Sequence, residues 1–101
     1  MTVEVLLNKS NNELQVKVIG RFDFSLHQDF RKLSEQAAKG ISSISIDLGR
    51  TEYVDSSALG MLLVLRDKVG SQQSAIKIIN ASPEVKKILT IANFDKLFTV
   101  M

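Results

Sequence analysis

The chain has 101 residues, with 13 Lys plus Arg against 11 Asp plus Glu, one His, no Cys and no Trp. A net charge of +2, with 45% hydrophobic and 24% charged residues, is ordinary globular composition and predicts one domain over 1–101 with its own core, radius of gyration near ~13 Å. These counts exclude disulfides, cysteine nucleophiles, thiolate metal sites and multi-histidine metal centres, and no cofactor is called for.

The basic isoelectric point, near 9.0, rests on two excess charges scattered among acidic residues, which is too little for a phosphate backbone. One Tyr and five Phe, several at core spacing, give no stacking platform for bases, so no nucleic-acid partner is expected. Residues 1–9 carry Glu4 and lack a basic start before an apolar run, so they are not read as a signal peptide. The longest mostly apolar stretch, 58–65, is far short of the roughly 20 residues of a membrane span. The expectation is a soluble cytoplasmic protein with no membrane partner.

Val3, Val5 and Leu7 alternate with their neighbours, and after the polar cluster 9–12 so do Leu14, Val16 and Val18, which predicts an antiparallel hairpin. Gly20 is expected to end the second strand. Ser25, with Gln28 three residues on, has the capping-box pattern that opens a helix. Leu26, Phe30, Leu33 and Ala37 share one face of that helix, and Lys39 and Gly40 supply its stop. Ile44, Ile46 and Leu48 form a third strand, parallel to its predecessor because a helical crossover separates them. Residues 49–54 read as a loop, 56–69 as a second helix closed by Gly70 and a polar turn at 71–74, and 76–79 as a fourth strand. Ser82 and Pro83 are N-cap and first residue of a third helix carrying Val85, Ile88, Leu89 and Ala92, and 98–100 is a candidate last strand. The order β-β-α-β-α-β-α gives a single α/β domain with a mixed sheet, whose functional groups gather where strand ends pass into helices, at 23–25 and 55–57.

Asp55, Ser56 and Ser57 precede an apolar periodic run, and capping needs only one of them. At about 100° per residue, Ala58, Met61, Leu62, Leu65 and Val69 fall on one side of the second helix. Ser56, Gly60, Leu63 and Asp67 fall on the other, with Val64 beside them. An outward stripe with a hydroxyl, a glycine and two apolar side chains suits a docking surface, although singly exposed apolar residues are common on any protein. Ser56 also suits phosphorylation. A phosphate of about −1.5 to −2 charges fits the N-terminus of a helix, while an interface built there would have to desolvate it beside Asp55.

Catalysis has less support. The sequence around Ser56 lacks the Gly-x-Ser-x-Gly elbow, His27 reads as a surface residue, and the five glycines are isolated rather than gathered into a phosphate loop. Asp23 and Asp55 would form a carboxylate pair if their loops meet, but such residues are more often caps. No catalytic residue and no metal ligand is assigned.

The segment 47–60, Asp-Leu-Gly-Arg-Thr-Glu-Tyr-Val-Asp-Ser-Ser-Ala-Leu-Gly, resembles the signature of the STAS domain, the fold of bacterial anti-sigma factor antagonists. Gly20-Arg21-Phe22-Asp23 is similar to the Gly-x-Leu-Asp element before that family's first helix, with Phe22 for the usual Leu, and Ala58 stands where Gly is frequent. The resemblance implies a STAS-like domain with a mixed four- to five-stranded sheet and three to four helices. It also implies partner switching: an unphosphorylated antagonist binds an anti-sigma factor, commonly a serine kinase as well. Phosphorylation of the first Ser or Thr after the Asp releases the complex, and a metal-dependent serine phosphatase restores it. Carried onto this chain, the phosphoacceptor is Ser56, with Asp23, Asp55, Ser57, Gly60, Leu63 and Val64 on the partner-binding surface. The lack of further sequence argues against a transporter-attached STAS module. The alternative is a constitutive STAS subunit of a lipid-transport ATPase, docked through the same surface without phosphorylation.

Overall fold

Alternation of Val, Leu and polar residues builds the first hairpin: β1 (Thr2–Asn8) pairs antiparallel with β2 (Glu13–Phe22), setting Val3 opposite Val18, Val5 opposite Val16 and Leu7 opposite Leu14. The computed structural model describes residues 2–8, 10, 12–37, 41–69 and 76–101. The expected helix stop at Lys39 and Gly40 and the polar turn after Gly70 lie outside the described residues.

Helix α1 (His27–Ala37) crosses to β3 (Ser43–Asp47), parallel to β2 as predicted, and α2 (Ser56–Val69) leads to β5 (Ile76–Ile79), parallel to β3. Helix α3 (Pro83–Ile91) precedes a two-residue strand β6 (Thr99–Val100), parallel to β5. The order across the mixed sheet is β1-β2-β3-β5-β6. Leu14, Val16, Val18, Ile44, Ile46, Ile76 and Ile78 are buried on one face, whereas Gln15, Lys17 and Lys77, one step along, are exposed. The helices therefore cover one face, and the other meets solvent. The radius of gyration is 12.2 Å, close to the value expected from length.

Three expectations need correction. Residues 49–54 are not all loop: β4 (Thr51–Val54) runs parallel to the end of β2, with Gly20 opposite Thr51 and Phe22 opposite Val54. Between Lys17 and Gly20, β2 advances three residues while its partner advances from Asp47 to Thr51, so one extra residue is absorbed in a turn at 48–50. The Gly49 amide donates to Asp47 Oδ1 (2.8 Å), and the buried Thr51 hydroxyl donates to the Val18 carbonyl (2.7 Å). With β4 and β6 the sheet has six strands.

Gly20 does not end β2 but carries it through a register shift, at φ 91°, a conformation that costs other residues steric strain. Nor does Ser25 cap the first helix. The Ser25 amide and hydroxyl both donate to Asp23 Oδ1 (3.0 and 2.5 Å), opening a 3-10 turn at Phe24–Leu26 that runs into α1. A carboxylate two residues earlier is the stronger acceptor, and it takes the capping role. The third helix starts as predicted, with the Val85 amide donating to Ser82 Oγ (3.2 Å) and Pro83 at its first turn.

Candidate functional site

Strands β2 and β4 end side by side, so the loops carrying Asp23 and Asp55 leave the sheet together. The Asp55 amide donates to the carbonyl of Phe22, the residue before Asp23 (3.3 Å). This joins the two loops that the sequence singles out. Beneath them lies Phe22, fully buried, its ring stacked on Phe30 of α1 with centroids 4.9 Å apart.

Asp55 caps α2. Its Oδ1 accepts from the Ala58 amide (2.9 Å) and its carbonyl from the Leu59 amide (3.2 Å). Of the three candidate caps, the Asp takes the role, and Ser56 and Ser57 become the first two residues of the helix. Ser56 is exposed and Ser57 half-buried. Replacing Asp55 by Ala should lower unfolding free energy by about 0.5–2 kcal/mol through loss of this cap, measured by urea titration. A loss below that range would show that another group caps the helix.

The predicted division of α2 holds. Ala58, Met61, Leu62 and Leu65 are buried; Ser56, Gly60 and Asp67 are exposed, and Leu63 and Val64 keep 39% and 53% of their surface. A methyl group added at Gly60 would meet nothing within 4 Å, so the fold itself leaves that space open. Basic Arg66 and Lys68 in the last turn complement the helix dipole.

The Asp23 carboxyl is held below the usual aspartate value, first by the Ser25 hydroxyl, then by the Ser25 amide, with a smaller contribution from Arg21. Arg21 Nε lies 3.5 Å from Asp23 Oδ2, and its guanidinium sits 4.5 Å from the centre of the Tyr53 ring. Sequence reasoning missed Arg21 and Tyr53. Their signal was faint: two outward residues, each two before an aspartate, on strands whose pairing the pattern does not reveal.

Also missed was a groove of about 560 Å³ between α1 and α2, lined chiefly by Phe24, His27, Phe30, Gly60, Met61 and Val64. Phe24 keeps 63% of its surface and stacks on His27, which is exposed as expected. The groove runs along the α2 stripe and shares Gly60 and Val64 with it. Among the described residues no group of three or more His, Asp or Glu is placed to hold a metal, and no helix is long and apolar enough to cross a membrane.

A six-stranded mixed sheet with helices on one face, and an aspartate-capped helix beginning with two serines, defines a STAS fold. The chain belongs to the STAS domain family: the family model described as Mlab, STAS domain, matches residues 5–100. A STAS-domain containing protein of Pseudomonas aeruginosa (strain UCBPP-PA14) is 46% identical over 100 residues, covering 99% of both chains. BtrV of Bordetella bronchiseptica, named as a candidate anti-sigma factor antagonist, is 28% identical over 69 residues, 68% of this chain and 60% of BtrV. Among solved structures, phosphorylated SpoIIAA, the Bacillus cell fate determinant, superposes with a TM-score of 0.77 at 17% identity, covering 99% of this chain and 91% of that one. Unphosphorylated SpoIIAA, an anti-sigma factor antagonist, gives 0.74 at 18%, covering 89% and 83%. These structural matches establish the fold. The family is generally non-catalytic, and its antagonist members imply an anti-sigma factor as partner.

Proposed function

We propose that this chain is a phosphorylation-regulated partner-switching protein of the anti-sigma factor antagonist type, working in the cytoplasm. It binds an anti-sigma factor with serine kinase activity while Ser56 is unmodified, and lets go once Ser56 carries phosphate. The observation that carries this reading is the division of labour at the start of α2: Asp55 holds the helix, and exposed Ser56 heads a stripe that continues through Gly60, Leu63 and Val64. Modification there alters the surface without touching the core. SpoIIAA, which shares the fold, exists in phosphorylated and unphosphorylated forms.

In the modifying step the γ-phosphoryl group of ATP passes to Ser56 Oγ, leaving ADP and the hydroxyl proton. A metal-dependent phosphatase returns the serine by hydrolysis. Incubation with the cognate kinase and ATP should add one phosphate, mapped to Ser56 by peptide mass spectrometry. Modification confined to another residue would overturn the assignment.

Gly60 provides a second test. An interior helical glycine costs about 0.5–1 kcal/mol relative to Ala, and no neighbour within the chain requires it. Gly60→Ala should therefore raise the melting temperature by a few degrees, about 4–8 °C per kcal/mol. Gly60→Arg should stay folded yet lose partner capture in a pull-down, because the partner's surface comes close to the helix backbone here. Full capture by Gly60→Arg would remove Gly60 from the interface.

The exposed apolar pair Leu63 and Val64 beside an apolar groove favours a second reading, a constitutive STAS subunit of a transport complex. It predicts that Ser56→Ala and Ser56→Asp are captured equally and that no phosphate is found on the protein in cells.

A further inference from the structure

Strand β1 is hydrogen-bonded on one side only, to β2, and no strand among the described residues pairs with its other side. Proteins usually guard such an edge with a short strand, a proline, a bulge or a bare charge. Here β1 is seven residues long, has no proline and pairs with β2 in unbroken register. Its one charged residue, Glu4, lies opposite Lys17 of β2, which offsets the charge. Apolar surface remains on both faces. Val5 belongs to the helix-covered face with fully packed Val16 but keeps 46% of its surface, and Leu6 on the open face keeps 64%.

We infer that β1 is a self-pairing edge, through which two copies of this chain join antiparallel about a twofold axis at Val5 into one continuous sheet. The sequence of the strand selects this register. With Val5 opposite Val5 of the second copy, all seven residues overlap and Val3 faces Leu7. The rows Val18-Val3-Leu7-Leu14 and Val16-Val5-Val5-Val16 then run unbroken from one protomer into the next on the helix side. On the open side Glu4 faces Leu6, so like charges are not directly opposed. Sliding by two residues one way sets Glu4 against Glu4, and sliding the other way leaves Thr2 and Val3 without partners. Sliding by one puts the apolar row of one copy against the polar face of the other. A second copy fits this strand in class, length and charge, and the pairing uses none of the Ser56 surface.

A strand-edge contact is small, so the dimer belongs to the weak, reversible class. Sedimentation over about 10 µM to about 1 mM should show a mass rising from 11.2 kDa toward twice that value. Because Val5 faces its own copy, Val5→Lys and Val5→Glu should each remain monomeric, while an equimolar mixture should associate. Amide exchange in β1 of the unmodified protein should slow as concentration rises, which needs no variant to fold. The inference is overturned if the unmodified chain stays at 11.2 kDa throughout. It is equally overturned if a charged variant that keeps its circular dichroism associates like the parent, if the mixture stays monomeric, or if exchange in β1 is independent of concentration. Pairing of β1 only with an extended segment of another protein would appear as the first of these results.

Discussion

Phosphate on Ser56, or Ser56→Asp as its weaker mimic, should lower affinity for the anti-sigma partner by about a hundredfold or more, about 2.8 kcal/mol. A charge forced into an interface without a counter-ion costs about 2–5 kcal/mol, and here the new charge of about −1.5 to −2 lies next to Asp55, whose loop is joined to that of Asp23 through the Phe22 carbonyl. Both carboxylates already have internal hydrogen-bond partners, Asp55 in the α2 cap and Asp23 in the Ser25 turn. Ser56→Ala should bind within about threefold of the parent, since an exposed hydroxyl contributes little net free energy. Folding should move the other way from binding. A negative charge in the first turn of a helix stabilises it by about 0.3–1 kcal/mol, so Ser56→Asp should melt no lower than the parent. Titration calorimetry with purified partner reads the first effect and thermal melting the second. Equal binding by Ser56→Asp would sink the switch, and loss of folding would sink the claim that it acts at the surface.

The second large effect concerns Phe22. It is fully buried, stacks on Phe30, and offers its carbonyl to Asp55 at the junction of the two loops. Phe22→Ala should cost about 3–5 kcal/mol, a large share of the roughly 5–15 kcal/mol that holds a domain of this size together. At about 4–8 °C per kcal/mol, the melting temperature should fall by more than about 10 °C. Phe24, two residues away and 63% exposed, is the control: its replacement by Ala should leave stability nearly unchanged while removing one wall of the α1–α2 groove. Similar losses at the two positions would contradict the packing described above.

What could be read from the chain follows from how each element is stabilised. β2, β3 and α2 are legible because one face of each is buried and the other is not, which writes a period of two or 3.6 into the sequence, and β1 is legible from the alternation of Val3, Val5 and Leu7, although none of the three is fully buried. The cap of α3 is legible because Ser-Pro has one structural use there. β4 is illegible for a physical reason: Thr51 and Val54 are buried with exposed Glu52 and Tyr53 between them, so a register shift replaces the alternation. Gly20 looks like a stop because its positive φ is as useful inside a shifted strand as at its end. The exchange of Ser25 for Asp23 as cap turns on competition between two acceptors two residues apart, which spacing alone does not resolve. At the candidate site, Asp23, Asp55, Ser56 and the α2 stripe are visible as motif and periodicity. Arg21 over Tyr53 and the groove behind Phe24 arise only when β2 meets β4 and α1 meets α2.

Because Asp55 rather than Ser56 anchors the first turn of α2, position 56 is free of structural duty and can vary on its own. Ser, Thr, Ala and Asp are each expected to leave the scaffold intact, so under the proposed function a descendant protein could pass between regulated, permanently engaged and permanently released behaviour by one amino-acid change. The switch and the fixed subunit then differ by a single side chain on a shared scaffold, and a gene duplicate could cross from one role to the other without passing through an unstable intermediate.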